Sequence, residues 1–289
     1  MKNLIEMLPQ DCMPFIIILK DSEFVIPSIL PEGSTFKYYS SIDEVPGEVY
    51  EDFSLLVIDV YNLKQGKLKE LRDRTIMPIV VFGYSGKKYQ NTLVVNVAEG
   101  GGPFPNTIEA DILEGAAFFI CNSSLERIRN SYSREKSLCK ILCVFGGTDP
   151  ANLSGRMVEY VNELNLNYNF SIISNSSSLR EQILPANVSV SGPHNNLPSI
   201  FCSYDLIITS PGNIYFEAMI VGAPVIAITQ SEKQELDFKG YPWIYKVEEM
   251  KNCLSSLNEI YSKVYDSKDG IRPGSGLQKI INYINLNCQ

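Results

Sequence analysis

The chain has 289 residues, 45% of them apolar and 20% charged, which suffices for roughly two domains with ordinary packed cores. Its formal net charge of −8 argues against nucleic acid as a main partner, since phosphate backbones call for basic faces, but leaves room for a small anionic ligand held by local donors. The seven cysteines (Cys12, Cys121, Cys139, Cys143, Cys202, Cys253 and Cys288) include no C-x-x-C pair, and His194 is the single histidine, so neither a disulfide framework nor a multi-histidine metal site is expected.

No metal and no cofactor is expected, and the unpatterned thiols fit a reducing cytoplasm. The N-terminus carries acids and prolines instead of a long apolar stretch, so no signal peptide is expected. Pro14–Leu19 falls far short of the roughly 20 residues that span a bilayer and reads as a buried strand.

Apolar, β-branched runs predict strands at Phe15–Leu19, Thr35–Tyr39, Leu55–Asp59, Met77–Phe82, Leu93–Val97 and Ala116–Cys121, with a helix over Lys64–Asp73. Gly100–Pro105 is a loop, and Ser131–Lys140 is polar enough to link two domains. Beyond it, Lys140–Phe145 is an apolar strand that runs into Gly146-Gly147-Thr148-Asp149-Pro150 and then a helix over about 151–164. Further strands are expected at Asn169–Ser174, Val188–Val190, Asp205–Thr209 and Pro224–Thr229. Small helical segments are expected at Asn196–Cys202 and Ile214–Val221, the second closed by Gly222. Leu277, Ile280, Ile281 and Ile284 recur at helical spacing near the end of the chain. Strands alternating with helices imply an α/β fold of two Rossmann-like parallel-sheet domains, with ligands beyond the carboxyl ends of the strands. The boundaries read as 1–135 and 136–289, with a last helix free to pack back on the first domain.

Three segments carry candidate chemistry at those strand ends. Gly146, Gly147 and Thr148 can offer amides, and Thr148 a hydroxyl, to a diphosphate; the alternative is an ordinary tight strand–helix turn. Asp149 before Pro150 reads as a helix start with a carboxylate cap, while Asn152 and Ser154 either cap or touch ligand. Gly212 and Asn213 open a second helix whose N-terminus favours negative charge, and Glu217 lies one turn further in. Gln234 follows the next strand as a sugar or phosphate contact or a surface residue. His194, in the polar loop Ser191–Asn196, is better assigned to binding than to proton transfer. Tyr215 and Phe216 read as packing. The glycines do not fit G-x-G-x-x-G, which disfavours a dinucleotide enzyme.

Phe145-Gly-Gly-Thr-Asp149, then Asp205-Leu-Ile-Ile-Thr-Ser-Pro-Gly-Asn-Ile-Tyr-Phe-Glu217, then Gly222-Ala-Pro224 and Gln234 together resemble the GT-B nucleotide-sugar enzymes. The nearest resemblance is to the UDP-sugar hydrolase of the pseudaminic acid pathway and its relatives in spore-coat polysaccharide synthesis. The lipid II-forming N-acetylglucosaminyl transferase is more distant. Val57-Ile-Asp59-Val-Tyr61 and Val94-Val-Asn96-Val also look like this group's first-domain strands. The resemblance implies a UDP-sugar as substrate, with Glu217 accepting hydrogen bonds from the ribose hydroxyls and His194 near the base.

The hydrolases also carry a Gly-x-Gly-His loop after their first strand. Here no histidine precedes His194 and no glycine precedes Gly33, so the first βα unit is expected to be lost or rebuilt and the first domain shortened. Asp59, at a strand's carboxyl end, is the substitute candidate for a catalytic base, with Glu99 second and Tyr61 and Asn96 as substrate contacts. Transfer of the sugar to a glycan or protein acceptor is favoured over hydrolysis. The alternative is a non-catalytic nucleotide-sugar binder or a subunit of a split enzyme.

Overall fold

The computed structural model describes residues 15–19, 35–39, 44, 46, 55–59, 63, 65–75, 77–84, 89–97, 112–121, 124–131, 137–267 and 273–287. Tyr61, Glu99, the Gly100–Pro105 loop and residues 132–136 of the expected linker lie outside them. One compact unit holds the described residues up to 97, 112–120 and 274–287; the other holds those between 121 and 273.

In the first unit, β1 (Phe15–Leu19) and β2 (Thr35–Tyr39) form a parallel pair. β3 (Leu56–Asp59), β4 (Ile79–Phe82), β5 (Thr92–Asn96) and β6 (Ile112–Glu114) form a parallel sheet in that order, with α1 (Gln65–Arg74) between β3 and β4. Parallel strands covered on both faces read as continuous apolar runs, because alternate side chains must both be buried. Ile79, Val81 and Val94 accordingly pack with Leu68 and Leu71 of α1, while Val80, Leu93 and Val95 pack with Leu277, Ile280 and Ile284 of the last helix.

The expected strand at Ala116–Cys121 is not one. The strand is Ile112–Glu114, paired with Val94–Asn96; Gly115 turns the chain at φ 97°, and Ala116–Phe118 forms a 3₁₀ turn. The apolar character of this stretch comes from Phe118 and Ile120 packing on the sheet and not from a ladder position. The turn's carbonyls instead receive the lead into the last helix: Gly274 N donates to Ala116 O at 3.0 Å and Gly276 N to Ala117 O at 2.6 Å.

The second unit begins with α2 (Ser124–Ser131) and continues through β7 (Lys140–Val144), α3 (Leu153–Glu163), β8 (Asn169–Ile173), α4 (Ser177–Arg180) and β9 (Val188–Ser191). After a 3₁₀ segment at Leu197–Ser203 come β10 (Leu206–Thr209), α5 (Asn213–Val221), β11 (Val225–Ile228), α6 (Glu232–Asp237) and β12 (Ile244–Tyr245). α7 (Met250–Ser255) and α8 (Leu257–Asp266) close the unit, and α9 (Leu277–Asn287) is the last helix already placed in the first. The six strands are all parallel, in the order β12-β11-β10-β7-β8-β9, so the chain reverses its winding direction at β7. Asp205 sets the register there: its Oδ2 accepts from Cys139 N at 2.8 Å and Lys140 N at 2.7 Å, aligning Ile141 with Leu206.

A side chain at Gly276 has no room. A Cβ there would lie 2.6 Å from the Phe118 ring and 3.1 Å from Ala117 O. Gly276→Ala is therefore expected to destabilise the protein by about 1–3 kcal/mol through overpacking, read as a lower midpoint in urea denaturation.

Candidate functional site

The strand ends of the second unit converge on one open cleft of about 170 Å³. Val144, Ile173, Pro193, Leu197 and Ile214 give it apolar walls. Its polar rim is formed by Gly146, Gly147, Ser174, Asn175 and His194. Its position follows from topology. Loops leaving β7 and β10 diverge to opposite faces of the sheet at the winding reversal, and the space between them cannot be filled by either crossover.

The glycine turn is held from both sides. Gly146 adopts φ 88°, a conformation that side-chain-bearing residues rarely take, and Gly146, Gly147 and Thr148 are exposed. Asn175 Nδ2 donates to Gly147 O at 2.6 Å. The helix after the turn starts three residues later than the Asp149-Pro150 pair suggests, at Leu153. Asp149 and Asn152 both take left-handed backbone angles, φ 39° and φ 52°, and wind an extra turn between strand and helix. Asp149 still caps: Oδ1 accepts from Leu153 N at 2.8 Å and Oδ2 from Ser154 N at 2.9 Å. The N-terminus of α3 thus already carries its own carboxylate. Asn152 makes no side-chain cap bond, and Ser154 is buried.

The start of α5 differs. Gly212, at φ 152° and ψ −153°, occupies a region open almost only to glycine; no side chain caps it and the first turn contains no acid. The leading amides of a helix lack intrahelical partners, so Asn213 and Ile214 bring positive partial charge to the end of α5 beside the cleft. Of the helix starts at Leu153 and Asn213, only the second is uncapped by a carboxylate.

Glu217 follows Ile214 by three residues and so shares its face of α5. Burial pushes its carboxyl up to about 7. The nearby Cys121 thiol is also raised, first by burial, with the charges of Glu126 and Glu217 adding to it. His194 is exposed, and its Nδ1 accepts from Asn196 N at 3.2 Å, which leaves Nε2 as the nitrogen that carries the proton in the neutral ring. Tyr215 and Phe216 face the opposite way. They are buried against Phe238 and Tyr241, and Tyr215 Oη donates to Pro242 O at 2.6 Å.

Gln234 is engaged within the protein: Oε1 accepts from Gln230 N at 2.7 Å and Nε2 donates to Pro211 O at 3.1 Å. Asp59 ends β3 in the first unit and is exposed, and Asn96 ends β5 buried. Asn175 and Gln230 were missed by sequence reasoning. The available signal was position alone: each is a polar amide just past the carboxyl end of a strand. Among the described residues, no group of His, Cys, Asp and Glu could hold a metal ion, and no helix is long and apolar enough to cross a membrane.

No family model matches the chain. It is 22% identical over 259 residues to the spore coat polysaccharide biosynthesis protein SpsG of Bacillus subtilis, covering 83% of this chain and 75% of SpsG. It is 26% identical over 189 residues to an uncharacterized protein of Methanocaldococcus jannaschii; that match spans 61% of this chain but only 38% of the archaeal protein. Among solved structures it resembles HepE of Anabaena in complex with UDP and glucose, with a TM-score of 0.51 at 13% identity over 88% of this chain and 86% of HepE. It also resembles the wall teichoic acid polymerase TagF, with a TM-score of 0.51 at 12% identity over 99% of this chain and 84% of that one. The fold is GT-B. Its two α/β units carry all-parallel sheets, as expected from the sequence.

Glu217 makes stability depend on pH. The folded state holds its proton up to about pH 7, whereas an unfolded glutamate releases it near 4.5, so the folded state binds more protons between those values. Its contribution is favourable at low pH and is lost as pH rises from about 4.5 through about 7. Glu217→Gln is expected to be more stable than the wild type at pH 8, by up to about 3 kcal/mol, with the difference shrinking towards pH 4.5. Denaturation midpoints of both proteins across that range check it.

Proposed function

We propose that this protein is a glycosyltransferase-like enzyme of surface glycan biosynthesis, whose second unit holds the nucleotide of a UDP-sugar. The observation that carries the reading is the juxtaposition of an apolar-walled cleft, an exposed glycine turn, an uncapped helix start and a buried carboxyl one turn further along that helix. A base fits between Val144, Ile173, Leu197 and Ile214, with the Nε2–H of His194 available to a carbonyl oxygen on its edge. The diphosphate is taken by the amides of Gly146–Thr148 and the start of α5, with the Thr148 hydroxyl as a further donor. Asp149 and Asn152 shape that turn. Glu217, once ionised, accepts from the two ribose hydroxyls. The names of SpsG and HepE, polysaccharide biosynthesis and a UDP complex, support the same reading.

In the proposed reaction the bond between the anomeric carbon and the diphosphate oxygen breaks, and its electron pair leaves with UDP. Backbone dipoles at the cradle stabilise that charge, so the leaving group needs no proton. An acceptor hydroxyl forms the new bond to the anomeric carbon, and its proton passes to a base, for which Asp59 is the assigned carboxylate. The absence of any histidine before His194 motivates a second reading, a nucleotide-sugar binder or one subunit of a split enzyme.

Calorimetry with UDP tests the shared part. Binding is expected in the micromolar range, and Gly212→Val is expected to weaken it by tenfold or more, because it strains the backbone and obstructs the α5 start. Absence of UDP binding by the wild type overturns both readings; binding without release of UDP from any UDP-sugar, with or without acceptors, selects the second.

Since ribose hydroxyls donate to an ionised Glu217, UDP affinity is expected to rise as pH increases through about 7. The Glu217→Gln protein, titrated alongside to subtract the ionisation of UDP itself, should lack that increment. Identical pH profiles would remove Glu217 from the ribose site.

A further inference from the structure

Gln230, two residues past the end of β11, ties the loops after β7 and β10 together. Its Nε2 donates to Phe145 O at 2.7 Å and to Ser210 Oγ at 2.7 Å. Its Oε1 accepts from Ala151 N at 3.2 Å. Its own amide donates to Gln234 Oε1 at 2.7 Å, and Gln234 Nε2 reaches Pro211 O at 3.1 Å. The amide orientation is fixed by these partners, because a carbonyl can only accept and a backbone N–H can only donate.

The partners define what the residue does. Phe145 O and Ala151 N bracket the Gly146–Thr148 turn. Ser210 and Pro211 lead directly into Gly212 and the start of α5. One side chain therefore joins the two backbone segments that would receive the diphosphate, and the Gln230–Gln234 pair anchors both to the end of β11. Loops at a winding reversal diverge, and no ladder hydrogen bond runs between them beyond the strand ends. The last sheet-level tie is Thr209 Oγ1 to Val144 O at 2.6 Å. Past that point Gln230 sets their spacing. Amide donors aimed at one anion must be held at fixed separation to act together.

We propose that Gln230 is the positioning residue of the diphosphate cradle, holding the glycine turn and the start of α5 at the spacing that one diphosphate requires; this rests on the nucleotide reading above. It touches neither substrate nor reacting atoms and acts through the two backbone segments.

The test is UDP affinity by calorimetry on the full chain, for the wild type, Gln230→Ala and Gln230→Glu, each verified as folded by circular dichroism. Gln230→Ala is expected to lose about tenfold in affinity, the consequence of unpaired polar groups and a relaxed cradle. Gln230→Glu is nearly isosteric. Its carboxylate cannot donate to Phe145 O or Ser210 Oγ at pH 8, whereas its protonated form can donate again. The ratio of its dissociation constant to that of the wild type is expected to be about tenfold at pH 8 and to fall to about threefold by pH 4, below the ordinary glutamate range. None of the groups bonded to Gln230 titrates in this range, and taking the ratio at each pH removes the ionisation of Glu217 and UDP. A merely structural role would lower the melting temperature without this pH-dependent recovery. Wild-type affinity in Gln230→Ala overturns the proposal while leaving the nucleotide reading intact. Should Gln230→Ala fail to fold, a pH-independent ratio for Gln230→Glu overturns it equally. Failure of the wild type to bind UDP overturns both.

Discussion

The parallel pairing of β10 with β7 is the constraint on which the second unit depends. Because β7 lies between β8 on one side and β10 on the other, the chain winds outward in both directions from this strand. Two distant features of the primary structure, the glycine turn after β7 and the Pro-Gly turn after β10, are thereby brought side by side although some 65 residues separate paired positions. The pairing is not left to the ladder alone. Asp205 clamps the amino ends of both strands through Cys139 N and Lys140 N, and Thr209 ties the carboxyl ends through Val144 O.

From that geometry follows the electrostatic character of the cleft. Two helices begin beside it, and their N-termini are chemically unequal. α3 is neutralised by Asp149, whose two oxygens cap Leu153 N and Ser154 N, so its dipole is spent on the protein itself. α5 has only Gly212 before it and no acid in its first turn, so its positive end is offered outward. A carboxyl at Glu217, pushed up to about 7 by burial, places a group that can be either neutral or charged one turn from that positive end. The asymmetry leaves α5, of these two helices, as the one whose leading amides are not already paired with a carboxylate.

Much of the fold was legible because it is encoded locally. The apolar runs Met77–Phe82 and Leu93–Val97 read as strands, and within them Ile79–Val81 and Leu93–Val95 are buried, as a covered parallel sheet requires. The helical spacing of Leu277, Ile280 and Ile284 marked α9, whose apolar stripe covers β4 and β5. Local composition failed where it answered to a distant neighbour. Ala116–Cys121 looked like a strand because Phe118 and Ile120 pack on a sheet, but the ladder position belongs to Ile112–Glu114 and the chain bends at Gly115. The start of α3 was misplaced for a related reason: Asp149 and Asn152 adopt left-handed angles that composition permits but does not impose.

Local residue order sets most of the elements and the punctuation of the site: apolar strands ending in Gly146-Gly147 and Pro211-Gly212, helices following each, and a glutamate one turn into the second. These are consequences of steric permission and of capping chemistry, which act over a few residues. Long-range packing sets which helix start remains open, how deeply Glu217 is buried, and that Gln230 joins the two turns while Gln234 is held by Gln230 and Pro211. Those outcomes depend on partners as far apart as Gln230 and Phe145, 85 residues distant along the chain, and on desolvation by side chains from other elements. Hydrogen bonds and burial of that range are properties of the folded surface and carry no signature in the local order of residues.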